Sequence, residues 1–161
     1  MDVLDENLIA FWKSLSKNDV EYIMVGGFAA ILHGTSRTTQ DVDIWIKDTG
    51  ENRKKFRTAI ANIGLGDYAE LETTEFVPGW TSIYLYQGFE LDIMTYLKAF
   101  PQSTFEECYN KAYVANIEGV NIPFLHINQL IQEKKANARP KDLLDIEELE
   151  KIIAINENGP K

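Results

Sequence analysis

A chain of 161 residues that is 45% hydrophobic and 25% charged is long enough to bury one core, and its composition excludes wholesale disorder or a fibre. Its formal charge of -9, from 25 acidic and 16 basic residues, opposes nonspecific attachment to a phosphate backbone. No apolar run is long enough to span a bilayer, the acidic start MDVLDEN lacks the regions of a signal peptide, and the lone Cys108 has no partner for an internal disulfide, so a cytoplasmic protein is expected.

Residues 3–16 carry Val3, Leu4, Leu8, Ile9, Phe11, Trp12 and Leu15 at a spacing that predicts an amphipathic helix, which Asn18-Asp19 ends. EYIMVGG predicts a short strand closing on a glycine pair, and FAAILHG a helix after a tight turn, with Gly34 as its C-cap. DVDIWI alternates as a half-buried strand does, and ENRKKFRTAIANIG predicts a helix that buries Phe56, Ala59, Ile60 and Ile63. TSIYLYQGFELDIMTYL reads as two strands broken at Gln87-Gly88, where a hairpin turn fits. A short helix from Thr104 to about Lys111 leads into a second strand pair, YVANIEGVNIPFL, around Glu118-Gly119. Two helices follow, from Ile127 to Asn137 and from Pro140 onward, the last with a buried stripe of Leu143, Leu144, Ile146, Leu149, Ile152 and Ile153. No repeat or linker divides the chain. The expected class is α/β or α+β, a mixed sheet with helices packed on it, in a single domain with its core over about 20–125 and a helical segment over about 126–155.

The strand DVDIWI raises a question of charge. Residues two apart on a strand project to the same face, about 6.5–7 Å apart at Cα, so Asp41 and Asp43 point together, away from Val42, Ile44 and Ile46. In FELDIMT, Phe89, Leu91 and Ile93 share one face while Glu90, Asp92 and Met94 share the other, so Asp92 has the same apolar flanks as Asp43. If the two strands are neighbours, three carboxylates converge and repel one another unless a cation lies between them. Hard oxygen ligands of that number suit Mg²⁺, and two such ions about 3.5–4 Å apart activate an attacking oxygen and stabilise a leaving pyrophosphate. Gly26-Gly27, between strand and helix, fits the same chemistry: the backbone there approaches a ligand closely, and the helix that follows directs free N–H groups at an anion.

The order Gly26-Gly27, Asp41-Val42-Asp43, then Asp92 on a later strand, resembles the nucleotidyltransferase superfamily of the DNA polymerase β type. HGTSRTTQDVDI is similar to its small bacterial branch of AbiEii-like and antibiotic-nucleotidyltransferase-like proteins, and LIQEKKANARPKDLLDIEEL also resembles a stretch common there. The resemblance spans about residues 20–150. It implies metal-dependent transfer of a nucleoside monophosphate from a nucleoside triphosphate to a hydroxyl of a small molecule, RNA or protein. Asp41 and Asp43 would bind two Mg²⁺ or Mn²⁺ ions. Asp92 would bind the catalytic one and accept the proton of the attacking hydroxyl. Gly26 and Gly27 would hold the triphosphate, and Arg37 or Lys134 would neutralise its charge. Because the segment after Asp92 is short, a homodimer or a partner protein would complete the acceptor surface, and small members also occur in toxin-antitoxin pairs. The competing expectation is a catalytically silent module of the same fold that binds a nucleotide or a partner protein.

Plainer roles fit other residues. A glycine pair also makes an ordinary turn, and Asp-x-Asp an ordinary solvated face. His33 and His126 suit capping or packing, Cys108 an inert thiol, and Trp12 and Trp45 packing, whereas Trp80 suits an exposed loop on the substrate side. RKKFR, residues 53–57, reads as the solvated face of a helix. Lys134, Arg139 and Lys141 cluster beside two helix ends, where Asp142 and Asp145 serve either as dipole partners of a first turn or as salt-bridge partners.

Overall fold

In the computed structural model, which describes residues 5–77, 79–86 and 89–158, the first helix is α1 (Glu6–Lys17). Asp5 caps it, its carboxylate accepting from the backbone N–H groups of Asn7 at 2.9 Å and Leu8 at 3.2 Å, two donors that a first turn otherwise leaves free. The Val3 and Leu4 portion of the expected helix lies outside the described residues. After Asp19, at a left-handed φ of 54°, come strand β1 (Tyr22–Val25) and helix α2 (Gly26–His33). No separate turn intervenes: the glycine pair is itself the first turn of α2, and Gly34 ends that helix at φ 117° as expected. The chain continues through β2 (Asp41–Ile46), α3 (Gly50–Asn62), the unanticipated one-turn helix α4 (Glu70–Thr73), β3 (Trp80–Tyr86) and β4 (Phe89–Met94). The expected Gln87-Gly88 turn lies outside the described residues. A 3-10 turn (Gln102–Thr104) then leads to α5 (Phe105–Lys111), β5 (Tyr113–Ile117), β6 (Val120–Phe124), α6 (Ile127–Asn137) and α7 (Pro140–Asn158). Among the described residues, no helix is long and apolar enough to cross a membrane.

The strands form one mixed sheet in the order β3-β4-β2-β1-β6-β5. At its centre β1 runs antiparallel to β2 and parallel to β6, and β2 runs parallel to β4. The hairpins β3/β4 and β5/β6 form the flanks. The four residues of β1 are all buried, and so are Val42, Ile44, Ile46, Leu91 and Ile93, the apolar faces that the alternation of β2 and β4 predicts. Helix α1 packs on α3 and β6, while α2 packs on β1, β2, α6 and α7.

Three expectations are corrected by packing. β2 is half-buried only over its first residues: Trp45, on the face of Asp41 and Asp43, is buried edge-on to Phe105 with ring centroids 5.2 Å apart, and its indole N–H donates to the Thr95 carbonyl at 3.0 Å. The RKKFR segment is solvated only in part, Lys54 being exposed. Arg53 is buried, with Nε on Asp48 at 2.5 Å, Nη1 on the Thr74 carbonyl at 2.6 Å and its guanidinium 4.2 Å from the centre of the Phe76 ring, because the segment after α4 folds back over it. Finally, Leu143 and Leu144 are 57% and 66% exposed, and the buried side of α7 consists of Asp142, Asp145, Ile146 and Leu149. Basic partners make that acidic burial tolerable, as described below.

Replacing Trp45 by Ala is expected to lower the unfolding free energy by about 3–5 kcal/mol in urea titrations, through lost packing and one lost hydrogen bond. Leu144→Ser, which a buried stripe would make severe, should change it by no more than about 0.5 kcal/mol.

Candidate active site

The parallel pairing of β2 and β4 sets Asp43 opposite Asp92 and Asp41 opposite Glu90. Strands lie about 4.8 Å apart, so the two aspartates meet on the sheet face opposite to Val42, Ile44, Leu91 and Ile93. On the other side of β4, Ser82 of β3 is the cross-strand partner of Asp92, and its hydroxyl donates to Asp92 Oδ1. Asp43 also pairs with Val25, the last residue of β1, so the chain enters Gly26 directly beside the Asp43 carboxylate. A Cβ on Gly26 would overlap that carboxylate, and its φ of 71° independently favours glycine. At Gly27 a Cβ would lie 3.1 Å from the Arg37 guanidinium carbon. The glycine pair thus admits a carboxylate on one side and a guanidinium on the other, at the start of a helix whose N-cap, Val25, offers no side-chain oxygen to the first N–H groups.

These groups surround a cavity of about 480 Å³, lined among others by Gly26, Asp43, Trp80, Asp92, Lys134 and Arg139. The Asp43 carboxyl is pushed up to about 8, first by burial at the cavity floor, then by the charge of Asp92, by a hydrogen bond with Asp92 and by the charge of Asp41, against the opposing pull of Lys134. Without a cation, one proton held between Asp43 and Asp92 relieves their repulsion.

Positive charge reaches the cavity from α6 and α7. Lys134 is buried on α6, with Nζ 2.8 Å from Asp145 and 3.8 Å from Asp142. Arg37 Nη1 lies 2.6 Å from the same Asp145 oxygen that Lys134 binds. Arg139 grips Asp142 with Nε at 2.6 Å and Nη2 at 3.1 Å. Burial works against the charge on Asp142, but the hydrogen bonds from Arg139 outweigh it and hold the carboxyl below the usual range. Of the two roles open to Asp142 and Asp145, the salt-bridge role is the one observed for both.

All of Gly26, Gly27, Arg37, Asp41, Asp43, Asp92 and Lys134 line this one cavity, as do Arg139 and Lys141. Trp80 lines it too, from the first position of β3 and not from a loop. His33 lies elsewhere, its Nε2 hydrogen-bonded to the Leu125 carbonyl at 2.7 Å, and His126 caps α6 by accepting from the Asn128 N–H at 3.1 Å. Cys108 is buried, and burial pushes its thiol up. Ser82 was missed, since only strand register reveals its place opposite Asp92. As donors for a cation, Asp41, Asp43 and Asp92 are hard oxygens, and Gly26 leaves the Asp43 carboxylate unblocked, so the residues fit Mg²⁺ or Mn²⁺. Among the described residues no three acidic, histidine or cysteine side chains stand together as a metal-binding group; Asp43 and Asp92 lie opposite each other as a pair.

Over residues 6–156 the chain matches the family described as nucleotidyltransferase of unknown function (DUF6036). The chain belongs to this family. As a DUF6036 nucleotidyltransferase it shares its fold with solved structures of low sequence identity. One is an antigenic nucleotidyltransferase-like protein from Paracoccidioides brasiliensis, at TM-score 0.54 and 16% identity, covering 92% of this chain and 75% of that one. Another is a candidate nucleotidyltransferase from Thermotoga maritima, at TM-score 0.55 and 15% identity, covering 94% of this chain and 91% of that one. No curated protein sequence matches it. The α/β class and the nucleotidyltransferase-like fold expected from the sequence are therefore those observed.

Two measurements test this electrostatic layout. The folded chain keeps the Asp43 proton from about pH 4, where an unfolded aspartate releases it, up to about pH 8, so stability contributed here falls as pH rises through that window. In metal-free buffer Asp43→Asn should therefore be more stable than wild type at pH 8, by about 1–2 kcal/mol, with the gap closing toward pH 4; a pH-independent gap would contradict the assignment. Asp145→Ala, which strands buried Lys134, should cost about 3 kcal/mol in the same unfolding assay.

Proposed function

We propose that this nucleotidyltransferase is catalytic, moving a nucleoside monophosphate from a nucleoside triphosphate to an acceptor hydroxyl with release of pyrophosphate. Asp43 lying in register with Asp92, against the bare backbone of Gly26, supports this most directly: a pair of carboxylates that must share a proton when alone is a strong site for a divalent cation. Asp41, Asp43 and Asp92 would hold Mg²⁺ or Mn²⁺, Asp41 being on the same strand face two residues before Asp43. When bound, these ions would polarise the transferred phosphoryl group and offset the charge developing on pyrophosphate. The N–H groups at the start of α2 would bind phosphate oxygens, with Arg37 and Lys134 at the wall. Asp92, kept in place by the Ser82 hydroxyl, would take the proton of the acceptor. The small bacterial AbiEii-like branch and a cytoplasmic setting belong to the same proposal.

One observation favours the silent module instead. Arg37 and Lys134 are both ion-paired to Asp145, so a triphosphate must compete with that carboxylate for them. Such a module would bind its nucleotide or partner protein without turnover.

Calorimetric titration with ATP, GTP, CTP and UTP, each with and without Mg²⁺, separates the two. The catalyst should bind at least one of them in a Mg²⁺-dependent manner, and the Asp41→Asn/Asp43→Asn variant should lose that binding. Turnover with a competent acceptor should fall by about three orders of magnitude in the variant, equivalent to about 4 kcal/mol of lost charge stabilisation. Binding indifferent to both metal and variant would sink the catalytic proposal.

A further inference from the structure

Strand order gives the candidate site a direction. β1 leads into the glycine pair, β2 carries Asp41 and Asp43, β4 carries Asp92, and β3 is the edge strand beyond it. In an in-line displacement the entering and leaving oxygens stand on opposite sides of the transferred phosphorus. With the triphosphate at the start of α2, on the β1 side, the acceptor must enter from the far side, over β4 and β3.

What stands there is aromatic. Trp80, Ser82 and Tyr84 alternate along β3, and their cross-strand partners are Met94, Asp92 and Glu90, so both rings share the sheet face of the carboxylates. Trp80 is 50% exposed and Tyr84 77%, although Trp12 and Trp45 are fully buried. The Tyr96 ring lies over Gly79, where a Cβ would overlap it and where φ is 101°, so backbone geometry brings a third ring to the Trp80 end of the cavity. The same face is acidic: Glu90 stands between Tyr84 on one side and Asp41 on the other.

We propose that this face of β3 is the acceptor subsite, taking a flat-ringed alcohol or phenol, uncharged or cationic, stacked on Trp80 at the cavity with its hydroxyl toward Asp92, while Tyr84 flanks the outer end of the face. This rests on the transferase reading above. Rigid indole and phenol rings give flat contact area at low entropic cost, and their faces attract cations. Glu90, to which that reading assigns no ion, repels a carboxylate or phosphate placed on the same face, which disfavours a nucleic-acid end. In the transfer, the acceptor oxygen bonds to the α-phosphorus, the bond from that phosphorus to the bridging oxygen of pyrophosphate breaks, and the hydroxyl proton passes to Asp92.

Three probes separate ring from charge in ligand-observed NMR: tyramine, with a flat ring, a hydroxyl and a positive charge; 4-hydroxyphenylacetate, the same ring with a carboxylate; and glucosamine, a cationic alcohol with no flat ring. Tyramine should bind the wild type at least about tenfold more tightly than either comparison probe, and should weaken about tenfold in Trp80→Ala and by less in Tyr84→Ala. Both substitutions change exposed side chains, and unaltered melting temperatures check that the variants fold. Equal binding of 4-hydroxyphenylacetate or glucosamine, no tyramine binding, or tyramine binding that survives both substitutions would each overturn the assignment. A parallel Mg-ATP titration of the wild type keeps the two levels apart: no nucleotide binding there removes the transferase reading itself, whereas nucleotide binding without tyramine binding removes only the acceptor subsite.

Discussion

The pairing of β2 with β4 is the constraint on which the site depends, because it holds Asp43 and Asp92 in register although their charges oppose it. What enforces the register is on the other face. Val42, Ile44, Leu91 and Ile93 are all fully buried there, and each buried aliphatic side chain contributes about 1.5–3 kcal/mol. A slip of β2 by one residue would send Val42 and Ile44 to the carboxylate face and bring Asp41 and Asp43 to the apolar one, so apolar burial outweighs the repulsion across the strands. The repulsion is then moderated locally by a proton held by Asp43, the Ser82 hydroxyl on Asp92, and a glycine that leaves room for the carboxylate.

A second electrostatic layer faces this one across the cavity. Lys134 and Arg37 share one oxygen of Asp145, and Arg139 holds Asp142, so the start of α7 is fastened to α6 and to the segment before β2 by charge. Buried ion pairs of this kind add little net stability, because desolvation offsets much of their attraction, but removing one partner is severe. Their effect here is positional. They bring cationic groups to the wall of a cavity whose floor is anionic.

Fold and chemistry are held by different parts of the sequence. Two nucleotidyltransferase-like folds match this one at 15% and 16% identity, which alternating apolar strands and capped helices can sustain with many different residues. The proposed chemistry depends on far fewer positions, and Trp80 and Tyr84 on the β3 edge lie outside the pattern of Gly26-Gly27, Asp41-Val42-Asp43 and Asp92.

What the sequence by itself determined is the local part. DVDIWI is a strand over the very residues its alternation marks, Ile127–Asn137 is a helix, Pro140 opens the next one, and Glu118-Gly119 turns a hairpin at φ 52° and 81°, because alternation, proline and turn chemistry act within a few residues. The candidate residues Gly26, Gly27, Asp41, Asp43 and Asp92 stand out for the same reason: the aspartates take polar positions of alternating strands, and the glycines break the run between strand and helix. Only the tertiary structure decided which charges are buried and which apolar residues are not. Arg53 and Asp145 go inside because distant partners neutralise them, while Leu143 and Leu144 stay outside because α7 turns its acids inward to Lys134. Trp45 is covered by a helix some 60 residues further along the chain, and Ser82 meets Asp92 only through strand register. Helical and strand periods record which residues share a face, but the other chain segments packed on that face determine whether it meets solvent, core or an opposite charge.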